Sequence, residues 1–133
     1  MRTATEADIP EVLAIWAAAD AEPTVTDDIE ALRALLVRDP DALIVADDGE
    51  LSGSLIVGWD GWRGAFYRLA VLPTRRHHGV GLSLVQEGER RLAAAGARRI
   101  ALFCVSGDPI PAAFWTAAGY TYQPDRVRFF KNL

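Results

Sequence analysis

Leu69-Ala70-Val71-Leu72-Pro73-Thr74-Arg75-Arg76-His77-His78-Gly79-Val80-Gly81-Leu82 is the stretch on which the fold turns. It begins as the end of an apolar strand stopped by Pro73. A basic loop follows, and Gly79 and Gly81 lead into a segment with helical apolar spacing. A helix N-terminus presents unpaired N–H groups and partial positive charge, which suits an anion, phosphate above all. Gly79 and Gly81 let a ligand approach the backbone with no Cβ between. Arg75, Arg76, His77 and His78 concentrate positive charge in a chain of formal net charge -4. A ligand carrying several phosphates fits that contrast; a solvated surface loop before an ordinary helix is the plainer alternative. Two other phosphate motifs fail. A P-loop needs Gly-Lys-Ser/Thr, whereas Leu82-Ser83 follows Gly81, and Gly79-Val80-Gly81-Leu82-Ser83-Leu84 lacks the third glycine of a dinucleotide fingerprint.

Working outward, the spacing predicts a helix over Val80 to Ala95, with Leu84, Val85, Gly88 and Leu92 on its buried side and Gly96 as its stop. Gly88 costs about 1 kcal/mol relative to Ala in a helix, so close approach of helix to sheet is its expected compensation. Upstream, Ala42 to Ala46, Leu51 to Trp59 and Ala65 to Leu72 read as a three-stranded antiparallel meander. Its turns are Asp48-Gly49 and Asp60-Gly61. Before it come a short strand, Arg2 to Ala4, and a helix opened by Asp8 and Glu11 as a capping box, with Ile9, Val12, Leu13 and Trp16 as its stripe. A second helix starts near Asp27, buries Ile29, Leu32, Leu35 and Leu36, and ends at Asp39-Pro40. Downstream, Arg99 to Val105 reads as a strand and Pro111 to Ala118 as a short helix closed by Gly119. Tyr120 to Gln123 and Arg126 to Phe130 read as a final hairpin. The expected order is β-α-α-β-β-β-α-β-α-β-β.

The chain has 133 residues, half of them hydrophobic. That length fits one domain, 1–133, with a core of useful size. Cys104 is the only cysteine, which excludes a disulfide scaffold and favours a reducing compartment. No apolar run reaches the roughly 18 residues of a membrane span, and the N-terminus lacks the apolar region of a secretory signal. The expected location is cytoplasmic. The acidic balance argues against a nucleic-acid partner. Cys104, mid-strand, is expected to be a buried structural thiol. His77-His78 has no neighbouring carboxylate or cysteine pattern, so no metal is expected.

Arg76-His77-His78-Gly79-Val80-Gly81 resembles the Arg/Gln-x-x-Gly-x-Gly/Ala signature of the GNAT acetyltransferases. The Leu-Ala-Val-x-Pro lead-in sits at family spacing. So does Phe114-Trp115-Thr116-Ala117-Ala118-Gly119-Tyr120, which is similar to the family's Phe-Tyr-x-x-x-Gly-Phe. The element order is the family's too, so the resemblance spans essentially the whole chain. The hairpin Trp59 to Gly64 resembles that of a bacterial subgroup. The resemblance implies an α/β fold with a mixed, mostly antiparallel sheet that splays after the fourth strand to admit acetyl-CoA. It implies that Leu69 and Val71 run beside the pantetheine arm, and that the Val71 N–H polarises the thioester carbonyl. Backbone N–H groups of Arg76, His77, His78, Gly79, Val80 and Gly81, with Leu82, would hold the pyrophosphate. Phe114 would touch the cofactor. Asp108 stands where members often have an asparagine contact, and keeps an acceptor but loses the amide donor. His77 stands where many members have glycine.

The implied reaction is direct attack of an amine on the acetyl thioester. It needs a neutral amine, a donor for the developing oxyanion and a proton for the thiolate. The family's usual acid is a tyrosine where this chain has Trp115, whose indole N–H is no useful acid. Tyr67, Tyr120 and Tyr122 are possible substitutes, with aromatic packing as the alternative for each. The strand Phe66-Tyr67-Arg68-Leu69 also lacks the carboxylate that members often place there. Asp60 and Glu22 lie in loops able to face the acceptor, or serve as solvated turn acids. Trp59, Trp62 and Trp115 are candidates for the acceptor pocket, with hairpin packing as the alternative for Trp59 and Trp62. Without a strong base, low-pKa amines are favoured. Near pH 7.4 a lysine amine is neutral about one part in a thousand, an α-amine about a quarter of the time. The acceptor is expected to be an amine of a small molecule or peptide. A CoA-binding regulatory or interaction module without catalysis is the first alternative, and an unrelated nucleotide binder the second. A monomer or a homodimer is compatible with the sequence.

Overall fold

The computed structural model describes residues 1–104 and 110–133. Its elements are β1 (Arg2–Thr3), α1 (Ile9–Ala18), α2 (Ile29–Arg38), β2 (Leu43–Asp47), β3 (Leu51–Trp59), β4 (Gly64–Val71), α3 (Val80–Ala95), β5 (Ile100–Ala101) and α4 (Ala112–Ala117). The five strands form one mixed sheet in chain order, antiparallel from β1 to β4 and parallel between β4 and β5.

The continuous apolar run of β2 has a simple cause: both faces of the strand are buried. Leu43 and Val45 join a core with Ile9, Val12, Ile15, Trp16 and Leu32 under α1 and α2. Ile44 and Ala46 face the other way, into a core with Leu55, Phe66, Leu84, Val85, Leu92 and Trp115 under α3 and α4. The stripe expected on α3 is buried at all four positions. Gly88 lets the helix down onto the sheet, since a Cβ there would lie 2.7 Å from Phe66 Cε1 and 3.1 Å from Leu55 Cδ2.

Several expectations are corrected. The first helix is prepared one turn earlier: a 3-10 turn at Glu6–Asp8 leads into it, and the Asp8 carboxylate accepts the Thr5 N–H at 2.7 Å. Asp8 is thus the far partner of a box begun at Thr5. Asp28, not Asp27, caps α2, accepting the Ala31 N–H at 2.7 Å. Ile29 is exposed. β5 has only two residues, where a strand from Arg99 to Val105 is expected; Val105 lies outside the described residues. The final hairpin does not form: residues 118–133 carry no helix or strand. The physical reason is the edge it needs. β5 offers two paired positions, too few to template another strand, and Pro124 removes a donor. Val127, Phe129 and Phe130 are accordingly exposed. Among the described residues, no helix is long and apolar enough to cross a membrane.

Candidate functional site

The site is made by a sheet that stops holding together. β4 and β5 pair only at Gly64↔Ile100 and Ala65↔Ala101. Beyond Ala65 the edge of β4 is open, and a cleft of about 710 Å³ lies along it. Leu69, Ala70 and Val71 line one side, Leu102, Phe103, Cys104, Ile110 and Trp115 another, and the end of α1 with the connection to α2 a third. Leu72 donates its N–H to the Ser52 carbonyl of β3 at 2.8 Å. Successive N–H groups of a strand point to opposite edges, so the Val71 N–H faces the edge that β5 has left. Val71 is itself buried, 3% exposed.

A 3-10 turn at Pro73–Arg75 carries the chain from β4 to the loop before α3. His77 has φ +65° and Gly79 φ +79°, two left-handed residues that fold the loop back onto the helix start. Gly79 is the N-cap and has no side chain to cap with, so among the described residues the first N–H groups of α3 meet no side-chain acceptor. A Cβ on Gly81 would lie 3.5 Å from the Phe114 ring and 3.6 Å from Val71 Cγ2, ordinary contact distances. A methyl group therefore fits there, but a larger side chain would stand where a ligand reaches the helix start. Phe114 and Val71 flank this glycine, which joins three of the expected contacts at one place.

The charge of the loop differs from expectation. Arg75 is committed to Asp48 at 2.6 Å, and Arg76 turns inward, its Nη2 3.4 Å from the Ala19 carbonyl at the end of α1. Among the described residues the buried Arg76 Nε has no hydrogen-bond partner. His77 and His78 remain exposed, as do Gly79 and Leu82, while Val80 and Gly81 are half-buried. With Arg75 paired to Asp48, an anion at this loop would be drawn chiefly by the backbone dipoles of the helix start and by Arg76. Among the described residues no cluster of three or more His, Cys, Asp or Glu side chains is placed to hold a metal ion.

Tyr67 is half exposed on β4 and lines the cleft, as does Glu22 in the α1–α2 connection. Tyr120 does not: its hydroxyl donates to Glu89 at 2.9 Å, and burial, then that carboxylate, pushes its pKa above the usual tyrosine range. Tyr122 is exposed in the C-terminal segment. Asp60 is bound into its own turn. Its carboxylate accepts the N–H groups of Arg63 and Trp62, each at 2.7 Å, and these hold its pKa below the usual carboxylate range. It shapes the β3–β4 turn and is not among the residues lining the cleft. Trp59 likewise packs on the core under α3. Trp115 lies on the cleft wall but is 8% exposed, edge-on to Phe114 and Tyr120 with ring centroids 5.1 and 5.3 Å away. Asp108 lies outside the described residues. Cys104 is exposed on the cleft, its Sγ 3.4 Å from the Ile110 carbonyl, because the sheet has already ended at Ala101.

Two groups in the cleft meet partners that the sequence does not reveal. Arg68 sits on β4 with φ +54° and forms a bidentate pair with Asp27, 41 positions away, at 2.5 and 3.1 Å. Arg128 lies over the Phe103 ring at 5.0 Å. Neither partner could be chosen from local spacing, since tertiary folding alone brings them together.

The chain is similar to known proteins along most of its length. A family model described as the acetyltransferase (GNAT) family matches residues 9–120. An acetyltransferase of Sodalis glossinidius (strain morsitans) is 36% identical over 127 residues, covering 95% of this chain and 89% of the relative. One of Yersinia enterocolitica is 31% identical over 134 residues, covering 100% of this chain and 94% of the relative. Among solved structures, a GNAT family acetyltransferase from Brucella melitensis in complex with acetyl-CoA is 25% identical with a TM-score of 0.67, covering 91% of this chain and 81% of that one. An aminoglycoside 6'-N-acetyltransferase from Acinetobacter haemolyticus shares the fold, with a TM-score of 0.75 at 18% identity over 99% and 97% of the two chains.

Proposed function

Because the chain belongs to the GNAT acetyltransferase family, we propose that it moves an acetyl group from acetyl-CoA to an amine of a small molecule or peptide by direct attack. The observation that carries the reading is the open edge of β4 beside a helix start with no side-chain cap: Val71 lines the cleft, and its side chain meets Gly81 and Phe114 at that helix start. These residues fit the cofactor, since the edge offers backbone donors and the glycine leaves the approach clear.

Acetyl-CoA supplies a thioester already activated for acyl transfer. The N–H groups from Arg76 to Leu82 hold the pyrophosphate in this reading, and Leu69, Val71 and Phe114 flank the arm. The Val71 N–H stabilises negative charge as it develops on the carbonyl oxygen, a fixed donor that needs no reorganisation. Tyr67 is the tyrosine left in the cleft for the leaving sulfur, with water as the other proton source. A thiol pKa near ~8.5 makes a strong acid unnecessary. Glu22 faces the acceptor amine directly or through water. Asp60, bound into its own turn, is given no part. With no strong base on β4, the acceptor is an amine substantially neutral near pH 7.

The packing of Trp115 favours a second reading, a CoA-binding module without turnover. One experiment separates the two. The protein is titrated calorimetrically with acetyl-CoA, with dephospho-CoA and ATP as controls, and then incubated with a panel of amines while free thiol is followed. Binding of acetyl-CoA and thiol release with α-amines ahead of lysine-like amines are expected. Binding without turnover would leave the module, and preference for ATP would remove both readings.

A further inference from the structure

We infer that Arg68 and Asp27 form a latch that fixes the acceptor half of the cleft, by pinning the α1–α2 connection to the bulge of β4. The latch stands on geometry alone; what its wall serves rests on the N-acetyltransferase reading above.

The bulge is read from the strand register. Ser54 pairs with Ala70 but Ile56 pairs with Tyr67, so β4 spends two residues, Arg68 and Leu69, against Leu55 alone. Arg68 absorbs the extra length with φ +54°, a conformation that residues with a side chain seldom adopt. Such strain persists only where the surroundings over-determine it. They do here. Nε donates to Asp27 Oδ1 at 3.1 Å and Nη2 to Asp27 Oδ2 at 2.5 Å, the planar fork of arginine matched to a carboxylate. Nη2 also reaches the Thr24 hydroxyl at 3.3 Å. The guanidinium lies 5.6 Å from the Trp16 ring centroid, and Trp16 is fixed in turn by donating to the Ser54 hydroxyl at 2.9 Å. The paired side chains are 18% and 16% exposed, so water competes weakly for them.

Asp27 is the point where loop and strand are coupled. The oxygen that grips Nη2 also accepts the Thr24 N–H at 2.9 Å, so one carboxylate folds the turn ahead of α2 and holds it to β4. Among the described residues, the hydrogen bonds from positions 22–28 to the sheet all run through Arg68. That connection supplies Glu22, Thr24, Thr26 and Asp27 to the cleft, opposite Tyr67 and Leu69. The cleft wall thus keeps its shape through one guanidinium. With three donors already on its two oxygens, Asp27 is a positioning residue and not the base.

The test uses the full chain with Arg68→Ala, Asp27→Ala, the double variant, and the gentler Arg68→Lys and Asp27→Asn. Circular dichroism checks folding, and the gentle pair carries the test if alanine unfolds the protein. Amide hydrogen exchange of residues 20–28 is read first, since it needs neither ligand nor turnover. Each alanine variant is expected to accelerate it about tenfold or more, with no further gain in the double variant and no change in α3. Acetyl-CoA affinity stays within about twofold, while the acceptor KM in the thiol-release assay rises about tenfold and is partly restored in Arg68→Lys. Unchanged exchange at 20–28 overturns the latch. Faster exchange with an unchanged acceptor KM, or a parent protein that binds acetyl-CoA yet acetylates no amine, overturns its acceptor role. A parent that fails to bind acetyl-CoA removes the N-acetyltransferase reading instead, and exchange still decides the latch.

Discussion

At His77 the backbone asks for a residue the sequence does not supply. Its φ of +65° belongs to the left-handed region, where an L-residue pays about 1–2 kcal/mol that glycine avoids. Glycine's freedom in the unfolded chain gives back about 0.4–1 kcal/mol of that. His77→Gly is therefore expected to stabilise the protein by up to about 1 kcal/mol in thermal denaturation, with the loop geometry kept. Gly81 is the opposite case, a glycine with room for a methyl group beside Phe114 and Val71. Gly81→Ala should fold and bind acetyl-CoA, whereas Gly81→Asp should fold and lose binding by at least about a hundredfold, by bulk and charge. Unchanged affinity of Gly81→Asp in calorimetry would dismiss the loop as the binding site. Gly81 was marked by its place at the helix start, and His77 only by the family resemblance, which puts a glycine there. Arg68 was not, because what matters about it is a left-handed backbone angle and a partner 41 positions away.

The elements show where local rules suffice. The start of α1 depends on Asp8, whose carboxyl is held at about 2, chiefly by hydrogen bonds from the Arg2 guanidinium and also by the Thr5 N–H. A depressed carboxyl stabilises the fold above its ordinary value of 3.8, and that contribution is lost as pH falls toward about 2. Thermal midpoints measured from pH 5 to pH 2 should fall across this window. Asp8→Asn should flatten part of that slope and cost about 1 kcal/mol at neutral pH. On α3 two local effects oppose each other. Gly88→Ala gains about 1 kcal/mol of helix propensity, but its methyl group meets Phe66 at 2.7 Å, and overpacking costs about 1–3 kcal/mol. The variant should lose about 1 kcal/mol in urea denaturation, the core contact outweighing the propensity. The periodicity of α3 was readable because burial repeats along it, and the meander because its apolar runs end at two marked turns. The last hairpin was misread because alternation describes a strand only when an edge exists to receive it.

Across the whole molecule the two cores lie on opposite faces of one sheet, and the cleft opens where that sheet divides. A ligand seated there would meet β4 and the segment before α4, and so would couple parts that the divided sheet does not. Acetyl-CoA at a hundred times its dissociation constant should add about 2.7 kcal/mol to stability. That corresponds to a rise of roughly 10 °C in thermal midpoint for a chain of this size. Dephospho-CoA should give less, and a midpoint unmoved by saturating acetyl-CoA would contradict the site.

The sequence by itself determined what depends on neighbours along the chain. Helix and strand periods, the turns at Asp48-Gly49 and Asp60-Gly61, and the glycine-marked start of α3 all lie within a few residues of their cause. Tertiary structure alone decided what depends on which distant groups meet. It paired Arg75 with Asp48, turned Arg76 inward, bound Asp60 into its own turn, buried Trp115 among aromatic rings and brought Asp27 to Arg68. A side chain's charge is written in the sequence, but the partner that neutralises or aims it is chosen only when the chain closes on itself.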